Sequence, residues 1–162
     1  MNQPNSSMQL TRAADYGVRV MIHLAASSSR GRQSLTALAK VADAPESFLS
    51  KVLQALVRAG LIDSRRGQTG GFEISDSGRA ATILTVIQAV EGPLNLNLCL
   101  IDEGYCHRSS WCPAHPLWSR AQAAMFAVLD SATVTDLAGS SCPATVITDS
   151  VNAVTLTDSA AS

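Results

Sequence analysis

The side chains best suited to chemistry are three cysteines and a histidine that lie close together in the second half of the chain. They are Cys99, Cys106, Cys112 and His115, spaced C-x6-C-x5-C-x2-H in a stretch that contains glycine and proline. Thiolates and imidazole nitrogens are preferred ligands of soft metal centres, and such a loop can wrap around one. The spacing therefore predicts a metal site, whereas Cys142, thirty residues further on, is interpreted as a spare thiol.

Three kinds of centre compete for this loop. An iron–sulfur cluster takes thiolates and sometimes a histidine, a structural zinc ion takes three cysteines and a histidine in a tetrahedron, and two cysteines alone could form a redox-switched disulfide. Cysteines in zinc sites usually come in pairs about two to four residues apart. The first two gaps here hold six and five residues, which favours a cluster.

An enzyme that uses Cys112 as a nucleophile and His115 as its base is a further alternative. Such a site needs a third group that orients the histidine and a pocket for the oxyanion. The sequence indicates neither, and two cysteines would have no role, so we predict that the chain is not an enzyme. Of the other histidines, His107 directly follows Cys106 and is an awkward co-ligand, and His23 is expected to be a surface or packing residue.

The residues before the cysteine loop predict a helical unit that could position it. Apolar side chains recur at helical spacing from Gln9 to Ala26, with Thr11 as a cap. Two further helices, at 35–41 and 45–59, are joined by a tight turn, and this is the helix-turn-helix pattern. The outward face of the second helix carries the side chains that we expect in a DNA major groove: Ser47, Ser50, Lys51 and Gln54.

A hairpin with a basic, glycine-rich tip follows the helix-turn-helix. The predicted strands at 61–64 and 72–75 flank the sequence RRGQTGG. Glycine lets a backbone approach phosphates closely, and arginine can enter a minor groove. A plain hairpin with solvated arginines is the alternative, but the position directly after a helix-turn-helix favours a DNA-binding wing. We therefore predict that Arg65, Arg66 and Gln68 contact DNA.

The second half of the chain predicts one long apolar helix. A turn at 76–78 and a helix at 81–90 come first, and the cysteine loop follows. The helix from Pro116 to Asp130 is apolar on more than one stripe, so it has to bury two faces. Burial inside one chain is possible, but the preceding residues supply too little surface, and we predict a dimer. Thr133 is predicted to cap a last short turn at 134–138.

Charge and composition indicate the partner and the compartment. Residues 1–79 hold ten Lys/Arg and six Asp/Glu, and residues 80–162 hold two and seven, so a polyanion would meet the positive first half. The chain starts without the basic and apolar run of a signal peptide, and no apolar segment approaches the roughly 20 residues that cross a membrane. We expect a cytoplasmic protein with no membrane partner, whose reduced thiols favour metal over disulfides.

These patterns predict a mainly α fold with a small β-hairpin wing: a winged helix-turn-helix plus a long dimerisation helix. The predicted organisation is a disordered extension at 1–8, a DNA-binding domain at 9–93, a cluster-binding cysteine loop at 94–115, a dimerisation helix and short terminal helix at 116–139, and a disordered tail at 140–162.

Four segments resemble one known family. The opening MQLTRAADYGVR at 8–19 resembles that of the bacterial iron–sulfur winged-helix regulators of the Rrf-two family, and of its NsrR-like members most of all. LQALVRAGLI and RRGQTGGF, at 53–62 and 65–72, resemble the family's recognition helix and wing, and 83–93, which ends AVEGP, resembles its next helix. The three cysteines lie where the family's cluster ligands lie, and the resemblance covers about 8–138.

The resemblance implies a bacterial homodimer, crossed by the helix after the cysteines, that binds a palindromic promoter site in double-stranded DNA. It also implies two choices for a fourth cluster ligand. IscR-like members use a histidine three residues after the third cysteine, where His115 stands. NsrR-like members use an aspartate of the other subunit, where Asp15 stands, and the NsrR-like opening favours Asp15. The six residues between Cys99 and Cys106 depart from the family's usual five.

The predicted function is transcriptional regulation, as a repressor. A [4Fe–4S] or [2Fe–2S] cluster would control promoter binding by sensing nitric oxide, the supply of iron or clusters, or redox state. The alternative is a zinc- or thiol-stabilised structural or interaction module that pairs with a partner other than DNA. The positive first half and the wing argue against that alternative.

Overall fold

The computed structural model of the chain describes residues 10–27, 31–67, 70–101 and 106–139. These residues form a mainly helical fold with one antiparallel hairpin, which confirms the predicted fold class. A 3₁₀ turn spans Leu98–Leu100. The other elements are α1 Arg12–Ala26, α2 Leu35–Ala42, α3 Glu46–Arg58, β1 Ile62–Arg65, β2 Gly71–Ile74, α4 Asp76–Ala80, α5 Ile83–Glu91, α6 His115–Asp130 and α7 Val134–Gly139.

Local capping chemistry sets the helix boundaries. The Thr11 hydroxyl accepts the backbone N–H of Ala14, so α1 begins at Arg12 rather than at Gln9. Ser34 caps α2 in the same way. Pro45, predicted as the first helical residue, is extended and forms the N-cap, so α3 begins one residue later than predicted, at Glu46. At the other end of α3, Gly60 has φ +71°, as a glycine cap requires.

The core lies around α1, which packs against α2, α3, α5 and α7. Gly17 lets α1 pack close to α5 and α3, because a Cβ at this position would lie 3.0 Å from Val90 and 3.6 Å from Val52. The largest fully buried side chains of the core are not aromatic, as the low aromatic content predicts: Val20, Met21, Leu38, Leu49, Leu53, Leu56, Ile62, Val86, Ile87 and Val134. This core fixes the orientation of α3 relative to the rest of the fold.

The hairpin pairs Ile62 with Ile74 and Arg65 with Gly71. β1 lies one residue later than predicted, because the Leu61 N–H still closes the end of α3 on Leu56 O. β2 lies one residue earlier than predicted. Gln33 exchanges two backbone hydrogen bonds with Phe72, each 2.9 Å long. Gly71, at φ +140°, permits this contact, since a Cβ there would come within 2.5 Å of Gln33 O. The wing is thus anchored to the segment before α2.

The predicted turn at 76–78 is wrong, because these residues begin the short helix α4. The Ser75 hydroxyl accepts the Gly78 N–H at 2.9 Å and donates to Gly60 O at 2.7 Å. One side chain therefore caps α4 and joins it to the end of α3. Five residues are too few to produce a helical period, so the sequence pattern gives no sign of this helix.

The last two helices, α6 and α7, differ in burial. No residue of α6 is buried within this chain, which excludes the alternative of a helix covered by its own chain. In α7, Val134 is fully buried, and the helix packs back on α1 and α4. Thr133 caps α7 as predicted: its hydroxyl and backbone N–H donate to Asp136 and hold the pKa of that carboxyl below its ordinary value. No helix of the described segments is long and apolar enough to span a bilayer.

Candidate nucleic-acid interface and cysteine cavity

The outward face of α3 carries the four polar side chains predicted to face DNA. Ser47, Lys51 and Gln54 are exposed, and Ser50 is half-buried beside Gln54, whose side-chain amide lies 3.5 Å from its hydroxyl. The opposite face is anchored in the core by buried aliphatic residues: Leu49, Val52, Leu53 and Leu56. The recognition face is therefore held on a rigid element rather than on a loop.

The hairpin adds two exposed arginines to this surface. Arg65 is the last residue of β1, and Arg66 follows it directly. The ion pairs found within the described segments involve Arg19 and Arg32, so neither wing arginine is neutralised there by a carboxylate. Gln68, the third residue predicted for the wing, lies outside the described residues. Two exposed guanidinium groups beside a polar helix face suit phosphate and groove contacts.

A cavity of about 680 Å³ opens at the cysteine loop. Cys99, Cys106 and His115 all line it, so the fold brings together three of the residues that the sequence singles out. Cys99 stands in the 3₁₀ turn, and His115 is the first residue of α6. All three cysteines at this loop are half-buried free thiols.

Cys112 is not among the residues that line the cavity, although its backbone is hydrogen-bonded to His115, which does line it. Its backbone N–H donates to Arg108 O at 2.8 Å, and its carbonyl accepts the His115 N–H at 3.1 Å. The Arg108 guanidinium lies 5.7 Å from the centre of the Trp111 ring, which packs the turn before Cys112.

His107 also lines the cavity. Its position directly after Cys106 made it an awkward ligand by sequence reasoning, since neighbouring side chains usually point in different directions. The chain turns tightly at this point, because Ser109 N–H donates to Cys106 O at 3.1 Å, and both residues reach the same wall. The sequence carries no signal for that turn.

Asp15, the other predicted ligand, lies elsewhere in the chain. It is in the first turn of α1, its side chain is 48% exposed, and its carboxylate pairs with Arg19 at 2.7 Å. It does not line the cysteine cavity of its own chain. Any contact of Asp15 with that cavity must therefore come from a second subunit.

One contact missed by sequence reasoning joins the DNA-binding unit to the cysteine loop. Glu91, the last residue of α5, accepts the backbone N–H of Thr11 at 2.9 Å and its hydroxyl at 2.7 Å. Gly92 and Pro93 then lead into the cysteine loop. The start of α1 is therefore tied to the point at which the loop begins.

The donors of the described residues at the cysteine loop do not meet at one point. Over the segments that the structure describes, no group of three or more His, Cys, Asp or Glu side chains is close enough to share a single metal ion. Tetrahedral zinc needs four donors within about 2.0–2.3 Å of one centre. In a cluster the four protein ligands are divided among two or four irons, so the donors need not meet at one centre.

Comparison with known proteins gives a consistent result. The sequence profile described as "Rrf2: Iron-dependent Transcriptional regulator" matches residues 10–140. The HTH-type transcriptional regulator CymR of Bacillus subtilis is 34% identical over 131 residues, which are 81% of this chain and 90% of that protein. Its solved structure, described as that of the global cysteine regulator, superposes with a TM-score of 0.65 at 32% identity, covering 82% of this chain and 97% of CymR.

Two further solved structures are similar. The oxidized form of CymR from Staphylococcus aureus is 28% identical, with a TM-score of 0.66 over 84% of this chain and 100% of that one. IscR from T. potens is 25% identical, with a TM-score of 0.64 over 81% of this chain and 86% of that one. Both likenesses extend over the helix-turn-helix and on into the second half of the chain.

Proposed function

Because the chain belongs to the Rrf2 (Rrf-two) family of transcriptional regulators, we propose that it is a DNA-binding repressor whose promoter affinity is set by an iron–sulfur cluster in the cysteine cavity. The members of this family are regulators and not enzymes, as the sequence predicts. A regulator of this kind acts in the bacterial cytoplasm, where its promoters are. The observation that carries the cluster proposal is the cavity that Cys99, Cys106 and His115 share.

The DNA-binding surface consists of the outward face of α3 and the wing. The α3 face would enter the major groove, and Arg65 and Arg66 would follow the phosphates or enter the adjacent minor groove. Gln68 is proposed to join them. Ser47 and Ser50 are short, so water mediates some of the base contacts.

In this proposal the DNA-binding form is a dimer of two copies of the chain. Leu117 and Val128 are 58% and 52% exposed, and they lie on one stripe of α6 with Ala121 and Ala124 between them. This i, i+4, i+7, i+11 spacing forms an apolar seam, and its small central residues allow two helices to approach closely. We propose that α6 packs against α6 of the partner subunit. Two recognition helices about 34 Å apart would then read a palindromic site.

The residues that would hold the cluster are Cys99, Cys106 and Cys112, with a fourth ligand from a histidine or a carboxylate. His115 already lines the cavity in its own chain, so the geometry supports His115. Asp15 of the partner subunit takes its place only if the cluster bridges two subunits. When bound, the cluster supplies a group that is altered by nitric oxide, by iron or cluster shortage, or by oxidation.

The protein's own contacts provide a route from the loop to DNA. The loop starts after Pro93, two residues beyond the contact of Glu91 with Thr11, and it ends at His115, where α6 begins. Release of the loop would move α6, and with it the spacing of the two α3 helices. A palindromic site tolerates little change in that spacing.

The test of the cofactor is a visible spectrum with iron and zinc analysis of anaerobically purified protein. We expect a brown or red protein that contains iron, and a colourless Cys106→Ala variant. A colourless wild type with one zinc per chain would instead support the zinc-stabilised module. Titration of the coloured protein with nitric oxide, and separately with a chelator, identifies the signal by its effect on DNA binding.

A thiol sensor without metal is the second candidate. Cys99 and Cys106 are free thiols on one cavity wall, and a relative has been solved in an oxidized form. In this mechanism an oxidant would change DNA affinity in protein that contains neither iron nor zinc. Cys106→Ala would remove the response without any change in colour, and this separates the two candidates.

A further inference from the structure

One large apolar side chain stands exposed beside the polar face of α3. Phe48 is 41% exposed, and it is the only exposed large apolar residue of this helix, which the structure describes in full. It follows Ser47, about 100° further around the helix. Its backbone N–H closes the first turn on Pro45 O at 3.1 Å, so it lies at the end of the helix that enters a groove first.

The Phe48 ring is held in place from behind. Tyr16 of α1 is 8% exposed, and the two rings meet edge to face with centroids 5.8 Å apart at an interplanar angle of 85°. This is a favoured geometry for an aromatic pair. One edge of Phe48 therefore packs against the core, while 41% of the side chain stays exposed. An exposed aromatic ring with a buried support is suited to contact, because little side-chain freedom remains to be lost on binding.

Among the polar residues of α3, Lys51 lies nearest to Phe48 around the helix, one turn further along. Phe48 carries no hydrogen-bond donor or acceptor on its side chain, so it cannot read a base edge through polar contacts. The apolar group that a DNA major groove displays is the C5-methyl of thymine.

We propose that Phe48 is a specificity-determining residue, which packs against a thymine methyl group at the same place in each half-site. This rests on the proposed function, because it requires α3 to lie in the major groove. The polar residues of α3 and the wing would then set orientation and hydrogen-bonded base recognition. Phe48 would add a preference for thymine over cytosine, which presents a hydrogen in place of the methyl group.

The test uses full-length protein in its DNA-binding form and a duplex selected with it from a random-sequence pool. Each thymine of the selected duplex is replaced in turn by deoxyuridine, which removes only the methyl group and keeps the base pairing. We expect one position per half-site where replacement weakens wild-type binding about fourfold, the change for one buried methyl group. Replacement at both half-sites should weaken binding about fifteenfold.

The variants separate this role from a structural one. Phe48→Ala should bind the thymine and deoxyuridine duplexes equally, whereas Phe48→Leu, which keeps an apolar side chain, should retain part of the difference. Val41→Ala, which shortens an exposed apolar side chain of α2 outside the proposed DNA-binding surface, is the matched control and should keep the full difference. Thermal melts of each variant exclude loss of the fold, and Phe48→Leu carries the test if Phe48→Ala does not fold.

The outcomes are distinct. If wild type selects no duplex, the proposed DNA-binding function fails together with this inference. If it selects a duplex but deoxyuridine affects wild type and both Phe48 variants equally, or affects none of them, only the role of Phe48 is overturned.

Discussion

The two candidate ligands differ in what holds their side chains. His115 is half-buried at the start of α6 and lines the cavity with Cys99 and Cys106. Asp15 pairs with Arg19 one turn along α1, and its side chain is 48% exposed. Such a pair contributes only about 0.3–0.5 kcal/mol, so it does not keep Asp15 from another partner. The position of His115 favours it as the fourth ligand, because it lines the cavity without a second subunit.

The fourth ligand can be tested by cluster content. We expect His115→Ala to hold less than half the iron per chain of wild type after anaerobic reconstitution, because it removes a donor that already faces the cavity. Asp15→Ala, which loses only an exposed ion pair, should keep wild-type iron content and spectrum. The reverse pattern would show that the cluster bridges two subunits through Asp15.

The wing makes a separate residue-scale prediction. Arg66→Ala should weaken binding similarly across DNA sequences and reduce the slope of log affinity against log salt by about 1, because one phosphate contact is lost. Arg79→Ala in α4, at the base of the hairpin, is the control and should leave the slope unchanged. An Arg66→Ala protein with wild-type affinity and slope would exclude a DNA contact at this position.

At the scale of the elements, the contact of Glu91 with Thr11 joins segments that are eighty residues apart in the sequence. It satisfies a backbone donor at the start of α1 and places a carboxylate where the helix dipole favours negative charge. This contact fixes the end of α5, three residues before the cysteine loop begins at residue 94. It therefore contributes to the stability of the fold, and in the proposed mechanism it would also carry a change in the loop to α1.

Removal of this contact should be measurable. We expect Glu91→Ala to lower the free energy of unfolding by about 1–2 kcal/mol, the range for two exposed hydrogen bonds with a charged acceptor. Glu91→Gln keeps the oxygen acceptor and should lose less than half as much. Denaturant titration of both variants measures the difference, and equal stability of Glu91→Ala and wild type would mean that the contact does not stabilise the protein.

Elements with local signals could be predicted from the sequence, and those with distant causes could not. The caps at Thr11, Ser34 and Gly60 are chemical features of a few neighbouring residues, and all three are present. Helix α4 is too short to show a period, and it depends on Ser75 reaching Gly60 across the hairpin. The cysteine spacing identified candidate ligands, but the shared cavity and the place of His107 in it depend on turns without a sequence signal.

At the scale of the whole molecule, the exposed apolar face of α6 supports the proposed dimer. Its stripe of Leu117, Ala121, Ala124 and Val128 is exposed along its length, whereas Gln122 on another side accepts the Leu96 N–H at 2.8 Å. One side of α6 therefore contacts its own chain, while the apolar stripe stays exposed. A palindromic DNA site needs the same arrangement.

The dimer can be tested on this stripe. Leu117→Glu should convert a dimer to a monomer in light scattering, because it places a charge in an apolar seam. DNA affinity should fall at least tenfold, since each monomer reads only a half-site. Ser119→Glu, a neighbouring exposed position outside the stripe, should remain dimeric. A dimeric Leu117→Glu protein would place the interface elsewhere.

The most direct test of the account is the affinity of one anaerobic preparation for its selected duplex, measured as the cluster is removed stepwise. We expect the affinity to fall as the visible absorbance falls, and to be at least tenfold lower once the cluster is fully removed. Cys106→Ala should bind as weakly as cluster-free wild type and show no response to nitric oxide or chelator. Equal affinity of the fully loaded and cluster-free proteins would contradict the claim that a cluster in this cavity controls DNA binding.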